Sequence, residues 1–189
     1  WSKRDHRKIL VVDGKLGFTG GLNIMNENAD KASGGGGWRD NHVMIEGPAA
    51  YELDRLFRSV WFRETGKWFT LPPEPQVQGS CLVRVAANQE FLKRYLIRRS
   101  FLHAIDRAKN MITIANAYFI PERRIRRALY DARQRGVEVR ILVPSISDVP
   151  AVTYASRHLF LQHLKHGIQL YAWAGSVLHA KSMTVDGVW

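Results

Sequence analysis

His6-Arg7-Lys8-Ile9-Leu10-Val11-Val12-Asp13-Gly14 and, far along the chain, His179-Ala180-Lys181-Ser182-Met183-Thr184-Val185-Asp186-Gly187 repeat one pattern, H-x-K-x-x-x-x-D-G. Both copies close on Val-Asp-Gly. From ordinary residue frequencies, one H-x-K-x4-D in a chain this long arises by chance at roughly the per-cent level. Two, each on a strand-like run of branched residues, are far rarer. Residues two apart on a strand share a face, so His6 projects with Lys8 and His179 with Lys181. Asp13 and Asp186 fall at odd offset. Asp-Gly is also a preferred turn pair, so turn formation competes with a catalytic role for both aspartates.

Working outward from the first copy, residues 6–12 read as a strand, Asp13-Gly14 as a two-residue hairpin loop and residues 15–19 as the returning strand. That loop length pairs Lys8 with Thr19 and His6 with Gly21. Gly20-Gly21 then clears side-chain bulk beside the histidine so that a phosphate can approach, and Asn23 keeps the same parity as a donor to a phosphate oxygen. The four glycines within 33–37 predict a flexible loop. Residues 41–46 read as a strand, and Gly47-Pro48 turns into a helix over 49–64 with Leu53, Leu56, Phe57, Val60 and Trp61 on one face.

Leu71-Pro72-Pro73-Glu74-Pro75 is the candidate linker, over residues 71–80. Beyond it the expected order is helix 90–108, strand 111–119, basic helix 121–135 capped by Gly136, and strand 137–143. Helix 149–166 ended by Gly167, strand 168–173 and strand 178–185 follow. Alternation of this kind indicates an α/β fold.

These residues resemble the first and second HKD motifs of the phospholipase D superfamily, and Gly20-Gly21-Leu22-Asn23 follows the first as it does there. Trp38-Arg39-Asp40, Glu46-Gly47-Pro48-Ala49, Asn116-Ala117-Tyr118-Phe119-Ile120-Pro121 and Ser147-Asp148-Val149-Pro150 are similar, more closely, to bacterial cardiolipin synthases. The resemblance implies two pseudo-twofold-related α/β/α halves with central mixed sheets. Residues 1–70 would be the later part of the first half, 71–80 a linker and 81–189 a second half truncated just after its motif. It implies a catalytic set of His6, Lys8, Asp13, His179, Lys181 and Asp186, with Gly20, Gly21, Asn23 and Asp40 supporting. One histidine attacks phosphorus to give a phosphohistidine, and the other protonates the leaving alcohol and then activates the incoming one. The resemblance makes His6 the nucleophile; the sequence by itself does not assign the two parts. Lys8 and Lys181 hold the non-bridging oxygens. Since they supply the positive charge, neither cofactor nor metal is expected. Asp40 would orient a motif histidine, or else pair with a nearby base such as Arg39.

The chain has 189 residues with 28 Lys and Arg against 17 Asp and Glu, a net charge of +11. That surplus favours an anionic partner, be it a phospholipid surface, nucleic acid or a phosphate-bearing substrate, and charge alone does not choose between them. Arg123, Arg124, Arg126 and Arg127 crowd one helix start, read as a solvated face or an attraction for anionic headgroups. The lone Cys81 excludes an internal disulfide and reads as a buried or half-buried small residue. His42, His103, His158, His163 and His166 show no metal-ligand spacing and read as structural; the tryptophans read as core.

No apolar run is long enough to span a bilayer. The chain begins without Met and its second motif stops two residues past Gly187, which reads as a fragment that is weak or inactive in isolation. The resemblance places the parent at the cytoplasmic face of a bacterial membrane, peripheral or anchored by segments outside this chain, and leaves oligomeric state open. The expected function is phosphatidyl transfer between phosphatidylglycerol molecules. The alternative is a phosphodiesterase or nuclease of the same superfamily.

Overall fold

The computed structural model describes residues 5–88 and 95–189. The chain forms two compact units: one takes in residues 5–23 and 42–88 of the described chain, the other 24–41 and 95–189. The sequence partition at 71–80 therefore differs from the units in two places. Residues 24–41 leave the first motif to join the second, and residues 81–88 stay with the first.

The first unit is an antiparallel sheet of β1 (Ile9–Val12), β2 (Leu16–Gly20) and β3 (His42–Glu46), with α1 (Pro48–Thr65) packed on it. Pro48 opens α1 where its missing N–H costs nothing, and Gly66 closes it in the left-handed region, donating to the Phe62 carbonyl. Gly17 is what lets helix and sheet meet. A Cβ there would lie 3.0 Å from Leu53 Cδ1 and 3.2 Å from Ala50 Cβ.

Two expectations change in this unit. His6 and Lys8 precede β1 rather than lying within it. The register is also shifted by one, with Ile9 opposite Thr19 and Val12 opposite Leu16. Asp13 and Gly14 do take the positive φ values of a tight turn, 52° and 66°, closed by Lys15 N–H on the Val12 carbonyl at 3.0 Å. Lys15 is an extra residue before pairing resumes, and it moves every later partner along by one.

The proline segment is not a free linker. After α1 the chain lays Trp68 on Phe62, with ring centroids 4.1 Å apart, and Phe69 near Trp61 at 5.2 Å. Arg58 ties the return by donating to the Thr70 carbonyl at 2.8 Å while pairing with Asp54. Pro72 then covers the hairpin turn, where a Cβ on Gly14 would lie 2.4 Å from Pro72 Cγ. Cys81, expected to be buried or half-buried, is exposed on a stretch without regular structure. The start of the expected helix at Glu90 lies outside the described residues.

The second unit is a four-stranded sheet in the order β6-β5-β4-β7. Strands β4 (Met111–Asn116), β5 (Glu138–Pro144) and β6 (Gln169–Trp173) run parallel, and β7 (Lys181–Val185) is antiparallel to β4. Helix α2 (Leu96–Arg107) precedes β4, α3 (Arg123–Gln134) joins β4 to β5, and α4 (Pro150–Lys165) joins β5 to β6. Ile112, Ile114, Val139, Ile141 and Val143 turn one face of the sheet into the core. There they meet Ile105 of α2 and Leu129 and Ala132 of α3. The fold class is mixed α/β, as the alternation of elements implies.

No tryptophan is among the buried core residues of the described chain; Trp61, Trp68 and Trp189 are 37%, 65% and 46% exposed. Their rings meet aromatic neighbours instead, Trp61 with Phe57 and Phe69, Trp68 with Phe62 and Trp189 with Phe101.

The glycine loop is ordered, contrary to expectation. The N–H groups of Gly35, Gly36, Gly37 and Trp38 donate to the carbonyls of Asp30, Asn26, Ala29 and Glu27 at 2.9–3.0 Å. A Cβ on Gly35 would sit 2.3 Å from the Ala29 carbonyl oxygen, and one on Gly36 2.8 Å from Glu27 Cα. These glycines serve close backbone approach rather than flexibility.

Candidate functional site

The second motif is placed by two ladders. Against β4, Asn116 faces Lys181, and Ala117 N–H donates to the Ala180 carbonyl at 3.0 Å, so the antiparallel count continues one step past the strand. Tyr118 follows in a turn next to this last bond. On the other side, Arg39 N–H donates to the Val177 carbonyl at 2.9 Å and His179 N–H to the Arg39 carbonyl at 2.8 Å. This parallel bridge seats the 38–41 segment beside the motif, and Asn41 Nδ2 fastens it further to Ser182 Oγ at 3.0 Å.

Asp40 is thus delivered to His179. Its Oδ2 lies 2.6 Å from His179 Nδ1, with the carboxylate side chain 1% exposed and the imidazole 12%. An ionised carboxylate can only accept, so the Nδ1 proton is the one donated and Nε2 of the neutral ring is left as the basic nitrogen. Asp40 Oδ1 accepts from Asn41 N–H at 2.7 Å, which fixes the carboxylate in turn. Two aromatic rings abut the imidazole: Trp38 at 5.5 Å between centroids, tilted by 45°, and Tyr118 at 6.3 Å, edge-on at 82°.

Lys181 Nζ donates to the carbonyl of its own motif histidine at 2.6 Å and stands 5.5 Å from the Tyr118 ring centroid. The Tyr118 hydroxyl is shared between both oxygens of Asp148, at 2.7 and 2.9 Å. Burial and the Asp148 carboxylate push the phenol up to about 12. Among the described residues no group of three His, Cys, Asp or Glu side chains is placed to hold a metal ion.

Asp186 lies at the far end of β7 from Lys181. Its carboxylate accepts from the backbone N–H groups of Lys109, Asn110 and Met111, each at 2.8 Å. The Met111 N–H, then those of Lys109 and Asn110, hold its carboxyl below the usual aspartate range. That geometry is the turn reading of the residue, tying the β7 hairpin to the α2–β4 connection.

In the first unit, His6 is exposed and Lys8 half-buried, with Lys8 Nζ donating to the His6 carbonyl at 2.7 Å. Asp13 sits exposed in its turn. Gly20 ends β2 opposite His42 of β3, and Gly21 and Asn23 follow it. The displaced register puts Thr19 against Ile9 instead of Lys8.

Trp38, Tyr118 and Asp148 escaped the sequence reading as site residues. Each stands in a segment noted only for its resemblance, and only the fold brings Tyr118 to His179. Of the five other histidines, His163 is fully buried, with Nδ1 3.0 Å from the Tyr130 hydroxyl.

A family model described as "Cardiolipin synthase, PLD-like domain" matches residues 101–189. A cardiolipin synthase of Geobacillus sp. (strain WCH70) is 39% identical over 97% of this chain and 38% of its own length. The minor cardiolipin synthase ClsB of Bacillus subtilis (strain 168) is 35% identical over 97% of this chain and 46% of its own. The chain therefore spans less than half the length of these relatives. Among solved structures, the phosphatidylserine synthase of Haemophilus influenzae Rd KW20 matches 96% of this chain and 52% of its own, with a TM-score of 0.51 at 13% identity. That last likeness concerns the fold alone.

Proposed function

We propose that the chain belongs to the phospholipase D superfamily and that the full-length protein is a cardiolipin synthase-like phosphatidyltransferase working through a phosphohistidine. The observation that carries the proposal is the buried Asp40 carboxylate 2.6 Å from His179 Nδ1, with Lys181 on the adjoining strand position of the same motif.

A carboxylate behind an imidazole fixes its tautomer and stabilises the imidazolium. Both suit a group that gives and takes a proton, so His179 is the acid–base and His6 the nucleophile. In the first half-reaction His6 attacks the phosphorus of phosphatidylglycerol, and the phosphorus–oxygen bond to the headgroup glycerol breaks. His179 protonates that departing oxygen. In the second, a hydroxyl of another phosphatidylglycerol loses its proton to His179 and displaces His6, giving cardiolipin. Lys8 and Lys181 meet the charge on the non-bridging oxygens.

The proposed partners are anionic phospholipids at a membrane surface, in keeping with the net charge of +11 and the exposed Arg123, Arg124 and Arg127 on α3. Among the described residues no helix is long and apolar enough to cross a membrane.

The test offers the full-length protein labelled phosphatidylglycerol and, in parallel, single-stranded DNA. Glycerol release with cardiolipin formation is expected, and His6→Ala or His179→Ala should abolish both. DNA cleavage without lipid transfer, or activity surviving in both variants, overturns the reading.

A further inference from the structure

We propose that Tyr118 and Asp148 form a latch that positions Lys181 and His179: Tyr118 is the aromatic wall that both side chains abut, and Asp148 is the anchor that acts through it. For the reaction being served, this rests on the phosphatidyl-transfer reading; the latch itself rests on geometry.

The ladder between β4 and β7 sets Asn116 opposite Lys181 and ends on the Ala117 N–H to Ala180 carbonyl bond. Tyr118 follows in a turn, its ring 6.3 Å from the His179 imidazole and 5.5 Å from Lys181 Nζ. The tyrosine is then held at both ends. Its backbone N–H donates to Asn116 Oδ1 at 2.8 Å, and its hydroxyl to Asp148 at 2.7 and 2.9 Å. A phenol has one proton to donate, and this one is committed to a carboxylate. Burial, then the Asp148 carboxylate, pushes the phenol up to about 12, so the proton that closes the latch is held.

A lysine ammonium rides on a flexible four-carbon stem and needs walls to define where it stands. The His179 carbonyl at 2.6 Å and the Tyr118 ring at 5.5 Å help to do so for Lys181. The same ring presents its edge to the imidazole, whose Nδ1 is already fixed by Asp40. Asp148 comes from the loop between β5 and α4. The latch therefore joins the carboxyl ends of two adjacent parallel strands, where crevices in such sheets form. Tyr118 and Asp148 are positioning residues, since the phenolic proton is spent on Asp148 and neither group is left to donate to substrate.

The test uses the full-length protein with Tyr118→Phe, which keeps the ring and cuts the latch, Asp148→Ala, and the pair combined. Transfer is measured on phosphatidylglycerol in mixed micelles, and hydrolysis on bis(p-nitrophenyl) phosphate. Acylation of Lys181 is followed by peptide mass relative to the exposed Lys109. Each single variant should lower kcat about tenfold in both assays with KM within about twofold, and the double should be no worse than either. The Lys181-to-Lys109 acylation ratio should rise roughly three- to tenfold as the ammonium loses its wall. A double variant equal to the product of the singles overturns the latch, as does a change in KM alone or an unchanged acylation ratio. A wild-type protein that makes no cardiolipin, with variants that still show this pattern on bis(p-nitrophenyl) phosphate, sinks the lipid reading and leaves the latch standing.

Discussion

The two copies of H-x-K-x4-D-G are alike in everything their nine residues control and unlike in nearly everything else. In both, the lysine amine folds back on the carbonyl of its own histidine, at 2.7 Å for Lys8 and 2.6 Å for Lys181. In both, the aspartate and glycine of the turn have positive φ, 52° and 66° in the first and 53° and 70° in the second. Even the irregularity is shared. Val12 pairs with Leu16 across three loop residues, and Val185 exchanges hydrogen bonds with Trp189 across the same number. The surroundings differ: His6 is exposed, whereas His179 has a carboxylate behind it and aromatic rings beside it. A motif sets local backbone and lysine geometry; residues distant in sequence decide what each imidazole can do.

The sharpest way to break that contrast is to remove the carboxylate. Asp40→Asn keeps shape and burial but can present an N–H where His179 needs an acceptor, which favours the wrong tautomer. We expect kcat for phosphatidyl transfer to fall about 10²- to 10⁴-fold with little change in KM. An Asp40→Asn protein within threefold of wild type would mean that the two histidines are more alike in role than their environments suggest.

The unit that holds the second motif should also be acid-labile through His163. Burial, then the nearby positive charges of Arg126 and His166, lower its pKa from 6.5 to about 4, so it is neutral in the fold. The unfolded chain binds that proton first. The stability is therefore complete above about pH 6.5 and is lost as pH falls toward 4, by at most about 3 kcal/mol. His163 lies 5.5 Å from Phe119, the neighbour of Tyr118, so hydrogen exchange around 117–119 should quicken in that window. His163→Phe should flatten the pH dependence between 4 and 6.5. A curve unchanged by that substitution would remove His163 from the account.

What the chain disclosed in advance follows the range of the interactions concerned. The order of strands and helices was legible because period and breakers are local. The β1–β2 register was missed by one residue, since Asp13-Gly14 announces a tight turn but nothing announces that Lys15 stays unpaired. The glycine run misled for a similar reason: a glycine needed for close approach looks the same as one conferring freedom, until the carbonyl of Ala29 is found in the way. Tyr118 was invisible as a site residue because its significance is a ring contact with His179, two helices and two strands away in sequence.

The glycine run gives the next test. Gly35→Ala must push against the Ala29 backbone and should destabilise by about 1–3 kcal/mol, shifting the 38–41 segment and with it Asp40. Gly66→Ala, in the first unit, meets only open space at a φ of 70° and should cost about 1 kcal/mol with activity unchanged. Chemical denaturation and kcat separate the two. Equal effects on kcat would sever the glycine loop from the second motif.

The smallest expected effect bears most directly on the two copies, because it compares the same residue in each. Asp186 accepts three backbone N–H groups, and Asp13 is an exposed turn residue. Asp186→Asn replaces an oxygen that accepts by an amide that donates, setting N–H against N–H at the α2–β4 connection, and should lower Tm by roughly 2–6 °C. Asp13→Asn retains a residue tolerant of positive φ in a solvated turn and should move Tm by less than about 1 °C. Since the folded pKa of Asp186 is depressed, its contribution is present above the unfolded value of 3.8 and fades as pH falls below it, so the gap between the two variants should close in acid. If instead both asparagine variants melt alike near neutral pH while both lose transfer, the aspartates act on the reaction and not on the hairpins, and the turn reading is wrong for both copies.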